Sequence, residues 1–380
     1  MRIEAKLGFW IGGLGALVLL LWLLSGILLP FAAALALGYL LDPVADRLQR
    51  MGLSRFGATL MILVVFVLVF VLSLVILLPI LGHQVGEFLD SLPNYVSRLR
   101  TLLSEEGGSL LSRVTGPLAE KFGLGHDLTA SDLQGSVTDL VTEGTKWIGG
   151  FLRSLWSGGQ ALIGLFSLLV ITPVVAFYIL LDWDKMVRTV DSWVPLDHRE
   201  TVRELAREID RALSGFLRGQ SLVCLFLGLW YGLGLTMIGL NFGLLIGISA
   251  GILSFIPYVG SLTALVLSAG VAIVQGWPDL WLLGKVLAVI GTGQFLEGNI
   301  LTPKLVGASV GLHPVWLMLA LLGFGSLFGF TGLILAVPIA AAVGVVMRFG
   351  LRNYLSSPLY LGHSAQRVLS PPVGIERDSG

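Results

Sequence analysis

From Gln220 to Val346 the chain carries only five acidic or basic side chains: Asp279, Lys285, Glu297, Lys304 and His313. A run this long and this poor in charge does not suit a water-soluble domain, where roughly a quarter of the residues are charged. It suits a bilayer, crossed by helices whose backbone groups bond internally. The rest of the chain agrees, with 13% of its 380 residues charged and 55% hydrophobic. The expected fold class is an all-α polytopic membrane protein. It should have several transmembrane helices, plus broken or re-entrant hairpins and a water-exposed helical region.

Two of the five charges fall in one polar island, 291–307, where Gln294, Asn299 and Thr302 accompany Glu297 and Lys304. A charge inside a membrane is costly unless it is paired or faces water, so Glu297 is a candidate functional acid. Pro303 removes a backbone donor and predicts a break there, and Gly291, Gly293, Gly298 and Gly307 loosen the backbone around it. A hydrophobic segment interrupted beside a carboxylate and amides is how secondary transporters build ion and substrate sites. Glu297 therefore reads either as a coupling or gating acid, or as the partner of Lys304 or a helix-end cap. Asn299 and Gln294 could bind hydroxyl groups or satisfy carbonyls freed at the break.

Composition divides the chain. Residues 1–82 hold the first apolar segments. Arg2 and Lys6 precede an apolar run with no small-x-small cleavage site after it, which reads as a retained span. Residues 8–28 and 30–45 look like a pair broken at Ser25-Gly26 and Pro30. The second is short for a hydrocarbon core of about 30 Å, and either extends into Asp42–Asp46 or stops short. Arg47, Arg50 and Arg55 put the next connector in the cytoplasm, and 58–82 is a third span. Residues 83–150 regain charge, with more acids than bases, as an extracytoplasmic helical region. Val85, Phe88, Leu92, Tyr95, Leu99 and Leu102 alternate three and four apart, an a/d seam that Pro93 should kink or break. A second helix is expected from near Thr129. The seam could pack on its own hairpin, on another subunit or on the bilayer surface.

Residues 151–181 hold one more transmembrane helix, with Pro173 inside it. Residues 182–218 read as a cytoplasmic amphipathic helix, where Glu200, Glu204 and Glu208 face Arg203, Arg207 and Arg211 at i,i+3. Arg218 is expected to anchor at the membrane boundary, beside Gln220. Residues 219–350 form a core of broken helices, with breaks at Asn241, Pro257, Trp277-Pro278, Pro303, His313-Pro314 and Gly329. Residues 351–380 have the composition of a disordered cytoplasmic tail. Both termini are thus expected in the cytoplasm, in a bacterial-type inner membrane.

Gly219-Gln220 at the start of a span, Phe255-Ile-Pro-Tyr-Val-Gly260, Glu297-Gly-Asn-Ile-Leu-Thr-Pro-Lys304 and Leu312-His-Pro314 occur in that order. Together with Phe177–Asp182 and Tyr39-Leu-Leu-Asp-Pro43 they resemble the autoinducer-2 exporter family, the PerM-like permeases, over residues from about 8 to 350. The resemblance implies about eight transmembrane segments with embedded hairpins, an elevator-type carrier and a homo-oligomer, for which a pentamer is one form. It implies either export of autoinducer-2 or sodium (lithium)/proton antiport. Ser261 stands where many members have proline, so the chain after Gly260 is expected to re-enter a helix sooner.

The candidate binding or gating residues are Glu297, Asn299, Gln294, Thr302 and Lys304, then Pro257, Tyr258 and Gly260, then Gln220 and His313. Pro257, Pro303 and Pro314 are the expected helix breaks. Phe255 and Tyr258 could stack on a solute or pack in the core. His313 reads as a proton relay or a helix-start residue. No enzyme pattern, phosphate-binding loop or His/Cys metal spacing is present, so no cofactor and no metal are expected. Zero net charge offers no basis for nucleic-acid binding. Cys224 reads as a buried, inert thiol. The expected partners are the lipid bilayer, a small polar solute with a proton or sodium ion, and further copies of the chain. A non-transporting membrane scaffold is the alternative of a different class.

Overall fold

The computed structural model describes residues 23–101, 159–307 and 311–357, with Gly13, Gly15, Leu19, Leu20 and Tyr360 besides. Among the described residues all regular structure is helical. The expected helix from Thr129, the tail beyond Tyr360 and most of the first apolar run lie outside them. The helices are α1 Ser25–Arg50, α2 Arg55–Thr101, α3 Gly159–Trp193, α4 Arg199–Met237, α5 Gly243–Leu253, α6 Val259–Gly276, α7 Trp281–Leu296 and α8 Pro314–Leu355. A π-helical segment, Glu297–Val306, follows α7 directly. Among the described residues five stretches are long and apolar enough to cross a membrane: Leu28–Arg50, Arg55–Ser91, Leu196–Met237, Val259–Gly276 and Pro314–Leu355. The chain is an all-α polytopic membrane protein.

Several expected interruptions are not breaks. α1 runs through Pro30 and Pro43 to Arg50, so the short second segment extends to crossing length. α2 passes through Pro79 and Pro93 for 47 residues. At 1.5 Å per residue it is about 70 Å long, more than twice a hydrocarbon core. The change in composition near residue 82 therefore marks a change along one continuous helix. The amphipathic stretch before Leu217 and the apolar stretch after it are likewise one helix, α4. Proline costs one helical hydrogen bond and some steric strain, which long flanking turns can absorb.

Other breaks fall where expected. α5 and α6 are separated by Ser254–Tyr258, and α6 and α7 by the turn containing Trp277-Pro278. α8 is interrupted at Gly329, whose φ of 59° suits glycine.

The chain forms two compact units. One comprises Met1–Trp183 with Arg218–Val306. In it Ala34 and Leu37 of α1 and Ala176 of α3 form a buried cluster, flanked by Leu63 and Phe66 of α2. Arg55, at the start of α2, is the polar hub of these three helices. Its guanidinium reaches Asp42 at 2.7 Å and Asp46 at 2.8 Å. It also donates to the Gln49 side chain at 3.0 Å and to the Leu180 carbonyl of α3 at 2.9 Å. Arg218 donates to the Tyr39 carbonyl at 2.8 Å, so it ties α4 to α1. Leu68, Leu72 and Val75 of α2 are exposed, as expected for a helix facing lipid tails.

The expected seam on α2 meets its own chain. Phe88 is 7% exposed and packs edge-on against Phe242, in the α4–α5 turn, with ring centres 5.3 Å apart. Tyr95 meets the same ring at 6.3 Å.

The other unit comprises Asp184–Leu217 with Gly307–Gly380. Of the expected i,i+3 ladder, Glu200 and Arg203 approach at 4.0 Å, and the closer ion pairs are others. Arg203 grips both oxygens of Asp191, at 2.8 and 2.7 Å. Arg207 reaches back to Glu200 at 2.8 Å, and Arg352 approaches Glu208 at 3.4 Å. A carboxylate across a turn can offer the arginine fork two oxygens, a better match than one neighbour along a helix. That fork holds the half-buried Asp191 carboxyl below its usual range.

Candidate functional site

The site is built on α4. In water, apolar area would hold α4–α7 together; in lipid, close backbone packing has to do so. α4 carries Gly228 and Gly232, α5 carries Gly247 and Gly251, each pair four apart. The two faces meet antiparallel, Gly228 against Gly251 and Gly232 against Gly247, and a Cβ at Gly247 or Gly251 would strike the opposing backbone. α7 runs antiparallel to α4 as well, and the Trp230 indole donates to the Val289 carbonyl at 3.2 Å. Val223, Leu227, Tyr231 and Leu235, spaced by four, form a fully buried stripe on α4.

Glu297, Gln294 and Tyr231 come together. The Tyr231 ring lies against Gly293 of α7, where a Cβ would fall 2.8 Å from the hydroxyl oxygen. Gln294 donates through Nε2 to the Tyr231 hydroxyl at 3.1 Å and to the Glu297 carboxylate at 2.9 Å. The acid at the start of the π segment is thus held through an amide to a residue with no exposure. Tyr231 was missed in the sequence. The available signal was a hydroxyl within an apolar helix, which needs a partner when buried.

The polar island is not an ion pair. No ion pair joins Glu297 and Lys304 among the described residues, and Lys304 and Thr302 are exposed. Asn299 donates to the Phe295 carbonyl at 3.0 Å, so its amide satisfies a freed backbone group. Pro303 lies within the π segment and does not end it; the helix widens, and Gly307, at φ 56°, marks its end. Widened turns of this type recur at functional sites.

The second break adjoins the same end of α4. Gln220 is 8% exposed and donates to the Ser254 carbonyl at 2.6 Å, at the C-terminal end of α5. Gly219 lies against the π segment, where a Cβ would be 2.9 Å from the Val306 nitrogen. Adjacent residues of α4 therefore hold both irregular segments. Pro257 lies in the α5–α6 turn. Tyr258 caps α6 with φ 69° and is 56% exposed, a strained conformation for a bulky residue. Gly260 packs beneath it against Ser254 and the Ala250 carbonyl. His313 caps α8 in the other unit, accepting at Nδ1 from the Val315 nitrogen at 3.3 Å, with Pro314 in the first turn. It is a helix-start residue. Cys224 is half-buried and free.

Glu297 in this setting can take up a proton or lend an oxygen to a cation. The exposed Tyr258 ring and the Thr302 hydroxyl belong to the two breaks at the same end of the bundle. Among the described residues no three His, Cys, Asp or Glu side chains gather as a metal site.

The family model described as "AI-2E family transporter" matches residues 11–352. The YrrI protein of Bacillus subtilis (strain 168), whose name is that of a transport protein, is 31% identical over 87% of this chain and 89% of its own. The PerM permease of Escherichia coli (strain K12) is 30% identical over 86% of this chain and 88% of its own. With the family model covering nearly all of an all-helical membrane chain, the protein belongs to the AI-2E transporter family.

Proposed function

We propose that the protein is a secondary transporter that moves a small polar organic solute, such as autoinducer-2, outward across the cell membrane by elevator-like alternating access. A proton or sodium gradient drives it, and Glu297 is the acid that binds and releases the coupling ion. The observation that carries this reading is the Tyr231–Gln294–Glu297 chain, one carboxylate held at a widened helix in an otherwise nearly uncharged bundle. The Ser254–Tyr258 break and the π segment frame the solute path, and both termini face the cytoplasm. A homo-oligomer, with a pentamer as one form, belongs to the same reading.

Sodium (lithium)/proton antiport finds less support. A dedicated cation site recruits several oxygens, and Asn299 is turned to its own backbone. The a/d-patterned seam kept the scaffold reading open, and two of its residues, Phe88 and Tyr95, meet Phe242 of the same chain.

Proteoliposomes with an imposed proton or sodium gradient test the proposal. Wild type should move autoinducer-2, and Glu297→Gln should fold normally and fail. Sodium-driven pH change without solute movement would favour the antiporter. Transport unaffected by Glu297→Gln would remove the acid from the mechanism.

A further inference from the structure

A separate polar cleft lies at the other end of α4–α7. The α5–α6 turn and the π segment lie at the Gly219 end of α4, whereas the α4–α5 turn lies at the Met237 end. There α2 and the α4–α5 turn border an open cleft of about 460 Å³. Gln84, Glu87, Asp90, Ser91 and Tyr95 line it from α2, and Asn241 and Phe242 from the turn. Positions 84, 87, 91 and 95 fall three and four apart, one helical face.

The walls are held firmly. Phe242 adopts φ 60°, uncommon for a bulky residue, and its ring is flanked by Phe88 and Tyr95. The Asn241 nitrogen donates to Gln275 Oε1 at 2.8 Å, and Gln275 donates on to the Gly239 carbonyl at 2.8 Å. Gln84 Oε1 accepts from the Leu245 nitrogen at 3.0 Å, which joins α2 to the first turn of α5. Asn241 Nδ2 donates to the Tyr95 hydroxyl at 3.3 Å.

Those bonds decide which groups remain for a ligand. Asn241 keeps its carbonyl oxygen, and the ionised Glu87 and Asp90 carboxylates accept but do not donate. Gln84 Nε2, the Tyr95 hydroxyl proton and Ser91 supply the donors. Among the described residues acceptors dominate, the lining carries two negative charges, and no basic residue lines the cleft. His83 stands outside it, with Nδ1 3.4 Å from Glu87. The ligand that fits is cationic and rich in N–H donors. The volume suits a small molecule, for which pockets run from about 300 to 1,000 Å³. An aromatic wall favours an organic cation over a hydrated metal ion.

We propose that this cleft binds a small organic cation of the amine or guanidinium class, with Glu87 and Asp90 as its counter-charges and Phe242 as its apolar wall. The site uses none of the residues around Glu297 and stands apart from the transport reading.

Calorimetry on the full-length protein in zwitterionic nanodiscs tests it, with spermidine and agmatine as probes, mannitol as a neutral control and calcium as the metal control. Saturable binding of at least one amine probe, about one per chain, is expected. The double variant Glu87→Gln, Asp90→Asn should weaken it by about tenfold or more. Both carboxylates are exposed, so the variant should unfold at the wild-type temperature. Glu297→Gln should bind the probe as wild type does, which separates this site from the transport reading. Absence of saturable amine binding, equal binding by the double variant, or saturation by calcium or mannitol alone would each overturn the proposal.

Discussion

Gln220 donates its side-chain amide to the Ser254 carbonyl at 2.6 Å, and so closes the end of α5 where the chain turns at Pro257. Gly219, one residue earlier, lets the backbone of the π segment pass against α4. One dipeptide thereby supports two breaks that are about forty residues apart in sequence.

Gln220→Leu keeps much of the side-chain volume and leaves the Ser254 carbonyl without its donor. A buried group so orphaned costs about 1–3 kcal/mol. The thermal unfolding midpoint in detergent should fall accordingly. Gly219→Ala should cost at least as much, because its methyl group would meet backbone atoms of Leu305 and Val306 that cannot rotate away.

Tyr231→Phe retains the ring against Gly293 and removes only the acceptor for Gln294. Stability should fall by about 1 kcal/mol. Solute transport in proteoliposomes should slow, since the amide that holds Glu297 loses one of its two partners. Gly293→Ala should be worse on both counts, because the added methyl collides with the Tyr231 ring.

Lys304→Ala should leave stability within about 0.5 kcal/mol of wild type, the usual range for an exposed residue. A larger loss on thermal unfolding would mean that the ammonium does pair with Glu297.

Arg55→Ala removes the group that joins Asp42, Asp46, Gln49 and the Leu180 carbonyl. Loss of about 2–4 kcal/mol is expected, because two carboxylates are left facing each other beside a partly buried carbonyl. Arg55→Lys should recover only part of it, since an ammonium lacks the planar fork. Chemical unfolding of the three proteins side by side gives the ranking.

Acid should undo the Asp191–Arg203 pair. The guanidinium lowers the Asp191 pKa in the folded protein. Its contribution is therefore complete above the unfolded aspartate value, about 3.9, and is lost as pH falls through the lower folded value. The gap in melting temperature between wild type and Asp191→Asn should be constant near neutral pH and close only in that acid window.

Much was legible in the sequence because lipid imposes a coarse rule. Long uncharged runs become helices, and the breaks at Asn241, Pro257, Trp277-Pro278, His313-Pro314 and Gly329 coincide with the ends or interruption of helices. Glu297 stood out for the same reason. Proline alone was a poorer guide: Pro30, Pro43, Pro79, Pro93 and Pro173 all lie within helices.

What the sequence by itself determined is the solvent and the class: an all-α membrane chain with one conspicuous acid in a glycine-rich polar island. Which groups that acid meets was decided only by the tertiary structure. Lys304 is close in sequence to Glu297, yet Gln294 is the partner, and Gln294 is held by Tyr231 from a helix more than sixty residues earlier. Burial and hydrogen bonding depend on which helix faces meet. Those faces are selected by the close approach of Gly228 and Gly232 to Gly251 and Gly247 and of Gly293 to the Tyr231 ring. Hydropathy registers none of these contacts, because a glycine that permits close packing and one that faces lipid contribute equally to it.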